Sequence, residues 1–396
     1  MSIVSPGQVI LAINAGSSTI KFALFQADDA STRVLDGCIS SAGFTVRGAS
    51  SADSFSRDFG IPERFNGAHI LIDWLSERIE PAMLGAIGHR VVHGGPGYWE
   101  PQELTVAMRQ DLHKLSSFDP EHLPLELMMI DALHLRFPNV AQVACFDTAF
   151  YHAMPRVARV MPIPRRYEAH GVRRYGFHGL SCAFLVDELD RIAGKAVAHA
   201  RVVLAHLGGG TSISAVLGGK SVDTSMGLTP AGGLPMATRS GDLDPGLGWY
   251  LARTEQLTPA KFNHMVNHES GLLGMSESSA DMRELLDKQA DDIRAAEAVA
   301  LFCYQARKTV CAMAGALEGL DTLVFSGGIG EHAPEVRARI CAPLRFLGVE
   351  LDPDRNADGE PVISADASAV AVRVIHTDEQ RMIVHHVRQV LARSHP

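Results

Sequence analysis

Two apolar runs, Val9–Ile13 and Ile20–Phe25, flank a short polar turn, Asn14-Ala15-Gly16-Ser17-Ser18. This pattern predicts strand, glycine turn, strand over Val9–Phe25. It recurs at Arg201–Leu217, with Val202–His206, the loop Leu207-Gly208-Gly209-Gly210-Thr211-Ser212, and Ile213–Leu217. Laying Ala12 on Ala205 sets Gly16 on Gly209, Ser18 on Thr211 and Ile20 on Ile213. A repeated β-loop-β start predicts two related halves. Elsewhere, Phe65, Ile70, Leu71, Trp74, Leu75 and Ile79 follow a 3.6-residue period and predict a helix over Ile61–Ile79. Val140–Phe146 reads as a buried strand, Gly179–Ile192 as a helix and Asp292–Leu320 as a long alanine-rich helix. Asp321–Phe325 and Val372–His376 read as further strands, and Thr377-Asp378-Glu379-Gln380 has capping-box spacing before a last helix. Arg156–Arg174, rich in proline and arginine, is expected to cross between the halves. Strands and helices mixed in this order predict an α/β protein with covered sheets.

Composition narrows the function. With 396 residues the chain is long enough for two or three cores, and 46% hydrophobic with 20% charged residues is ordinary for a globular protein. A net charge of −9 argues against a nucleic-acid or anionic-membrane surface, so a bound anion must be held by a few placed cations. The six cysteines form no C-x-x-C pair and no zinc spacing, as expected of small buried hydrophobes in a reducing compartment. Met1–Gln8 shows no secretory pattern, and no apolar run reaches the ~20 residues of a membrane span, so a cytoplasmic location is expected.

Three glycine loops follow apolar strands: Asn14–Ser18, Gly208–Ser212 and Ser326-Gly327-Gly328-Ile329-Gly330-Glu331. Glycine lets backbone N–H groups close on an anion, and the first loop adds Ser17, Ser18, Thr19 and Lys21. Neither a G-x-G-x-x-G dinucleotide fingerprint nor a G-x-x-x-x-G-K-[ST] loop is present, so any bound ATP uses another mode. Charged residues accompany glycines elsewhere, in Gly88-His89-Arg90-Val91-Val92-His93-Gly94-Gly95, Tyr175-Gly176-Phe177-His178-Gly179 and Met236–Asp242 around Arg239, while Asp147 ends an apolar strand. Each also has a plain structural reading as an ion pair, a helix cap or a core residue. His264 and His268 stand four apart, but no third metal ligand accompanies them.

These segments, with Asn14–Lys21, Phe146–His152, His206–Ser214, Ala237–Pro245, Phe325–His332 and Thr377–Glu379, resemble the acetate kinase (acetokinase) family of short-chain carboxylate kinases, in family order along nearly the whole chain. The resemblance implies the ribonuclease H-like fold of the acetate and sugar kinase, heat-shock ATPase and actin superfamily, with two duplicated domains and nucleotide in the cleft between them. It divides the chain into an N-terminal domain, 1–150, completed by the last helix at about 380–396, and a nucleotide-binding and dimerisation domain, 151–379. It implies reversible, Mg²⁺-dependent phosphoryl transfer between ATP and acetate, giving acetyl phosphate and ADP, with Mn²⁺ as a substitute metal, in a homodimer. Propionate or butyrate is the alternative acceptor, and a non-kinase ATPase of the superfamily a more distant reading.

By position, Asn14 and Glu379 are implied to bind the metal, and Lys21 to lie near the phosphates. Arg90 is implied to hold the substrate carboxylate, Asp147 to be a catalytic carboxyl residue, and His178 and Arg239 to stabilise the transition state. Val92, Phe177 and Pro230 are implied to line the acyl pocket. Nucleotide contacts are implied for His206, Leu207, Gly208, Gly209 and Gly210, for Asp281, Met282 and Arg283, and for Gly328, Ile329, Gly330, Glu331 and His332. Arg90→Ala and Arg239→Ala are each expected to lose several orders of magnitude in turnover while staying folded. The chain departs from the family pattern where Gly209 and His332 replace asparagines, Ser117–Glu121 replaces P-L-H-N-P, and Gly232-Gly233-Leu234 replaces E-G-L. These departures bear on nucleotide affinity and acyl-chain preference.

Overall fold

A computed structural model describes residues 9–16, 19–40, 43–48, 54–58 and 67–394. The predicted Ser17 and Ser18, and the first turns of the helix expected at Ile61–Ile79, lie outside the described residues. The chain divides into two compact units, one of residues 1–149 with 378–396 and one of residues 150–377.

The first unit is built on strands β1 (Val9–Ala15), β2 (Thr19–Gln26), β3 (Arg33–Ser40), β4 (Gly43–Gly48), β5 (Phe55–Asp58), β6 (Leu84–Val91), β7 (Gln102–Glu103) and β8 (Ala141–Phe146). They form one sheet in the order β5-β4-β3-β2-β1-β6-β8-β7. β1 and β2 are antiparallel, whereas β1, β6 and β8 run parallel. Parallel strands are covered on both faces, which explains their near-continuous apolar runs. One face buries Leu11, Ile13, Phe22 and Ile87 against Leu71, Trp74, Met129 and Leu133 of helices Gly67–Arg78 and Leu123–Arg136. Helix Glu379–Ser394 packs on β1, β6 and β8. It seats closely because Gly88 has no side chain: a Cβ there would come within 2.6 Å of both Ile383 and Val387.

The second unit carries β9 (Val202–Leu207), β10 (Thr211–Leu217), β11 (Lys220–Thr224), β12 (Thr322–Ser326) and β13 (Ala371–Val374), ordered β11-β10-β9-β12-β13. β9 and β10 are antiparallel, and β9, β12 and β13 parallel. This repeats the central β3-β2-β1-β6-β8 of the first sheet, strand for strand and sense for sense. The repeat predicted from Val9–Phe25 and Arg201–Leu217 is therefore a repeat of topology. Helix Ile293–Ala316 buries Ala298, Phe302, Ala306 and Val310 with Val203, Ala205, Ile213 and Phe325.

Two expectations are corrected. The change of unit falls between Ala149 and Phe150, not along Arg156–Arg174, which lies within the second unit. There the Arg174 guanidinium donates to the carbonyls of Thr224, Ser225 and Met226. The last helix is capped by Asp378, whose carboxylate accepts the Arg381 N–H at 3.0 Å. Thr377, the expected cap, instead places its hydroxyl 2.8 Å from Ser181 Oγ.

His89 on β6 is 2% exposed, with Nε2 2.7 Å from Gln142 Oε1. Burial pushes its pKa down to about 4, and burial together with the adjacent His385 pushes that of the half-buried His386 down to about 4 as well. In the unfolded chain both imidazoles titrate near 6.5. Between those values the unfolded state binds more protons, so stability is full above pH 6.5 and is lost as pH falls toward 4. Each histidine contributes a slope of up to about 1.4 kcal/mol per pH unit. Denaturant titrations from pH 4 to 7 are expected to show a slope lower by about one proton in His89→Gln than in the parent chain.

Candidate active site

Each unit gathers its own set of charged groups, both at the C-terminal ends of parallel strands, where open α/β sheets place ligands. In the first unit Arg90 and Val91 on β6 pair with Cys145 and Phe146 on β8, and the Asp147 N–H then donates to Val91 O at 3.0 Å. This register brings the Arg90 side chain to the Asp147 carboxylate: Nε lies 2.8 Å and Nη2 2.7 Å from Oδ2. Arg90 Nη1 also donates to Glu126 Oε1 at 3.2 Å, and Glu126 Oε2 accepts the Val92 N–H at 2.8 Å. The Arg90 side chain is 11% exposed and those of Glu126 and Asp147 1%. Burial of two carboxyl groups around one guanidinium is costly to both, and it pushes Glu126 up to about 8 against the pull of Arg90. Arg90 itself stays charged, since Asp147, Glu126 and Glu379 together outweigh the burial of its guanidinium and raise its pKa. Asn14, at the end of β1, donates its amide to Glu379 Oε2. Lys21 stands opposite Asn14 on β2 and is exposed, and Val92 is buried.

In the second unit His178 is the N-cap of helix Gly179–Ala193 and adopts a left-handed backbone, φ 60°. That conformation is uncommon outside glycine and persists where surrounding structure enforces it. Gly176, at φ +77°, precedes it, and a Cβ there would lie 2.6 Å from the ring of Tyr151, so only glycine makes the turn. The Tyr151 hydroxyl donates to Phe177 O at 2.6 Å, fixing the turn from beneath. His178 Nδ1 lies 3.0 Å from Ser212 Oγ, and its ring stacks on His206 at 4.4 Å. His206 Nδ1 is 2.9 Å from Ser181 Oγ. The edge of the His178 ring that bears Nε2 sits over Gly210: an added Cβ there would meet Nε2 at 2.9 Å and Arg239 Nη1 at 3.8 Å. The arginine loop is tied to the glycine loop, since the Ala237 N–H donates to Gly209 O. His178, Arg239 and Gly208–Gly210 therefore converge. The third glycine segment, Gly327–His332, is a short helix rather than a loop, and Gly328 N lies 3.7 Å from the Cβ position of Gly208.

The Acetokinase family profile matches residues 9–385. The acetate kinase of Rhodopseudomonas palustris (strain TIE-1) is 43% identical over 389 residues, 96% of this chain and 97% of that protein. The propionate kinase of Citrobacter rodentium (strain ICC168) is 38% identical over 399 residues, 98% of each chain. A crystal structure of a propionate kinase from Francisella tularensis subsp. tularensis SCHU S4 superposes with a TM-score of 0.88 at 33% identity, covering 96% of this chain and 98% of that one. The chain belongs to the acetokinase family. It is an enzyme of the kinase class, with the two-sheet α/β fold of that family.

Not every residue that the acetokinase pattern marks presents its side chain to a ligand. Leu207 and Met282 are buried in the core of the second unit, which leaves only their backbone for binding. Asp281 caps helix Met282–Lys288 by accepting the Arg283 N–H at 2.8 Å, and it pairs with the Arg283 guanidinium at 2.7 Å. Pro230 and Phe177 are buried. Nothing lies within 4 Å of a Cβ built on Gly209, so glycine there is not a steric demand.

Sequence reading missed Glu126. Its signal was available, because Leu123, Leu127, Ile130 and Leu133 mark the buried face of their helix and a glutamate stands among them. The unusual Ser117–Glu121 segment leads into that helix, with Asp119 accepting the His122 N–H at 3.0 Å and Phe118 packed 5.2 Å from the His93 ring.

Gly210 yields a direct test. Its φ is not left-handed, so Gly210→Ala leaves the backbone at ease but pushes the His178 imidazole aside. The ring has to give by roughly half an ångström, where a misplacement of about 1 Å costs on the order of 100-fold in rate. The purified variant is expected to unfold like the parent chain and to lose kcat by about tenfold.

Proposed function

We propose that this chain transfers the γ-phosphoryl group of ATP to the carboxylate of acetate, giving acetyl phosphate and ADP, and catalyses the reverse reaction. The observation that carries the reading is the convergence of His178 Nε2 and Arg239 Nη1 over Gly210. A phosphoryl group in flight spreads negative charge over its equatorial oxygens, and placed cations and hydrogen-bond donors there are the main source of rate. Two anions must also be brought into contact. Arg90 holds the acceptor carboxylate by its charge and by the Nη hydrogen that Asp147, Glu126 and the Ala15 carbonyl leave free.

Acetate is already ionised at neutral pH, so the reaction needs no general base to activate it. Asp147, bonded to Nε and Nη2 of Arg90, acts by fixing the guanidinium, and Glu126 does the same from Nη1. His206 to Gly210 and Gly328 to His332 provide the nucleotide side of the reaction, chiefly through backbone N–H groups at Gly208–Gly210. Lys21 adds charge near the phosphates. Val92, Phe177 and Pro230 give the acyl group an apolar surface. Asn14 and Glu379 offer the hard oxygen donors that suit Mg²⁺, which takes one or two protein ligands and completes its shell with phosphate and water. When bound, that ion (or Mn²⁺) neutralises phosphate charge.

The chain is further proposed to act as a cytoplasmic homodimer through its second unit. Trp249 and Tyr250, adjacent on helix Pro245–Thr254 and 69% and 61% exposed, support that surface. No described helix is long and apolar enough to cross a membrane.

The test is a hydroxamate assay for acyl phosphate with ATP and Mg²⁺ across acetate, propionate and butyrate. Acetate is expected to give the highest kcat/KM. One methylene in an apolar pocket is worth about 1–3 kcal/mol, so preference for a longer acid would move the assignment to a propionate or butyrate kinase. ATP hydrolysis without acyl phosphate from any acid would end the kinase reading.

A further inference from the structure

Glu331 and His332, at the end of the short helix after β12, and His376, just past β13, bring one carboxylate and two imidazoles together in the second unit. Their ligand atoms all lie within 4.8 Å of one another. Glu331 is held on every side but one. Its backbone is pinned by Arg337, a 1% exposed guanidinium that donates to Gly330 O and Glu331 O at 2.9 Å each and to Asn356 Oδ1 at 2.9 Å. Its Oε1 accepts from Ser326 Oγ at 3.2 Å, Gly327 N–H at 2.9 Å and Thr377 N–H at 3.2 Å. These donors favour the ionised form: although burial opposes it, the Thr377 N–H, His376 and the Gly327 N–H hold the carboxyl below its ordinary range. Oε2 is left facing the imidazoles, 2.6 Å from His376 Nδ1 and 3.8 Å from His332 Nε2. The rings lie 5.8 Å apart, and both side chains are largely exposed.

We propose that Glu331, His332 and His376 form a binding site for a borderline transition-metal cation, with Zn²⁺ its best fit, leaving one coordination position open to solvent. Zn²⁺ takes His nitrogen at about 2.0–2.1 Å and carboxylate oxygen at about 2.0–2.2 Å in a tetrahedron, which sets the donors roughly 3.4 Å apart. The structure stands within about 1.5 Å of that at every pair. The fixed member is the carboxylate, and the movable ones are the exposed imidazoles, which reach the ion by rotation about their side-chain bonds. Two imidazoles select against Mg²⁺ and Ca²⁺, which prefer oxygen shells. The donor set is thus distinct in chemistry from Asn14 and Glu379. Bound metal would tie the Gly327–His332 segment to the chain leaving β13, across the loop proposed to face nucleotide. The inference does not rest on the acyl phosphate chemistry, because its test contains neither nucleotide nor carboxylic acid.

The test is a titration of the metal-stripped, full-length protein with Zn²⁺ against a chromophoric chelator. One tight equivalent per chain is expected. His376→Ala and His332→Asn are each expected to weaken it by about 100-fold or more, as loss of a ligand costs at least what loss of an outer partner does. His264→Ala, which breaks the exposed His264/His268 pair, should leave the tight equivalent intact, and millimolar Mg²⁺ should not displace it. Circular dichroism of the metal-free variants verifies their fold, and both substitutions are at exposed side chains. Absence of a tight equivalent, retention of it in both His332→Asn and His376→Ala, its loss in His264→Ala, or displacement by Mg²⁺ would each overturn the site.

Discussion

Arg239→Ala is expected to lower kcat by about 10³-fold or more, the range over which a stabilising arginine acts in phosphoryl transfer. The loop that carries it is clamped by backbone bonds that do not involve the guanidinium. Met236 N–H donates to Arg239 O, Ala237 N–H to Gly209 O, Ser270 N–H to Thr238 O and Leu272 N–H to Met236 O. Gly271, at φ +61°, allows this approach, since a Cβ would come within 2.1 Å of Met236 O. The truncated variant therefore keeps its loop and loses its charge. If Arg239 acts on charge that appears only in the transition state, kcat falls while KM for acetate moves little. Arg239→Lys retains a positive charge without the planar fork and is expected to recover only a small part of the rate. Steady-state hydroxamate assays on both proteins, with folding checked by circular dichroism, measure this. A kcat for Arg239→Ala within tenfold of the parent value would remove the residue from the reaction.

The features legible in sequence were those set by local pattern. Continuous apolar runs around glycine gave both β-loop-β starts, and the alanine-rich register gave the helix found at Ile293–Ala316. What stayed hidden was set by partners far along the chain. Thr377 satisfies the capping-box spacing, but its hydroxyl meets Ser181, 196 residues away, and Asp378 caps instead. Arg156–Arg174 reads as a linker by composition, yet Arg174 is spent on three carbonyls around residue 225. The left-handed backbone of His178 has no sequence signature either, because it comes from the packing of Tyr151 under Gly176. Among the site residues, Arg90 and Asp147 were found through family resemblance, whereas Glu126 followed from helix periodicity alone and was overlooked. Their mutual contact depends on the register between β6 and β8, which no single segment encodes.

That contact changes what is expected of Arg90. Sequence reasoning treats Arg90→Ala and Arg239→Ala alike, as folded and inactive proteins. In the structure Arg90 bonds two carboxyl groups, each with 1% of its side chain exposed, and is the counter-charge of Asp147. Removing one partner of a buried ion pair costs roughly 3–5 kcal/mol, because it strands the other charge in a medium that solvates it poorly. At about 2–4 °C per kcal/mol for a unit of this size, Arg90→Ala is expected to melt roughly 10 °C below the parent chain, in addition to losing turnover. Low activity of that variant alone would not separate catalysis from damage. Arg90→Ala with Asp147→Asn does, since it removes the stranded carboxylate, whereas Glu126, pushed up to about 8, is already largely protonated near neutral pH. The double variant is expected to regain part of the lost melting temperature and none of the lost kcat. Recovery of both would make Arg90 a structural residue, and a single variant as stable as the parent chain would mean that the two carboxyl groups do not depend on it. Stability and rate are thus predicted to part company at this one guanidinium: its charge neutralises Asp147 whether or not substrate is bound, while the donor hydrogen left unused is the one proposed to meet the acceptor carboxylate.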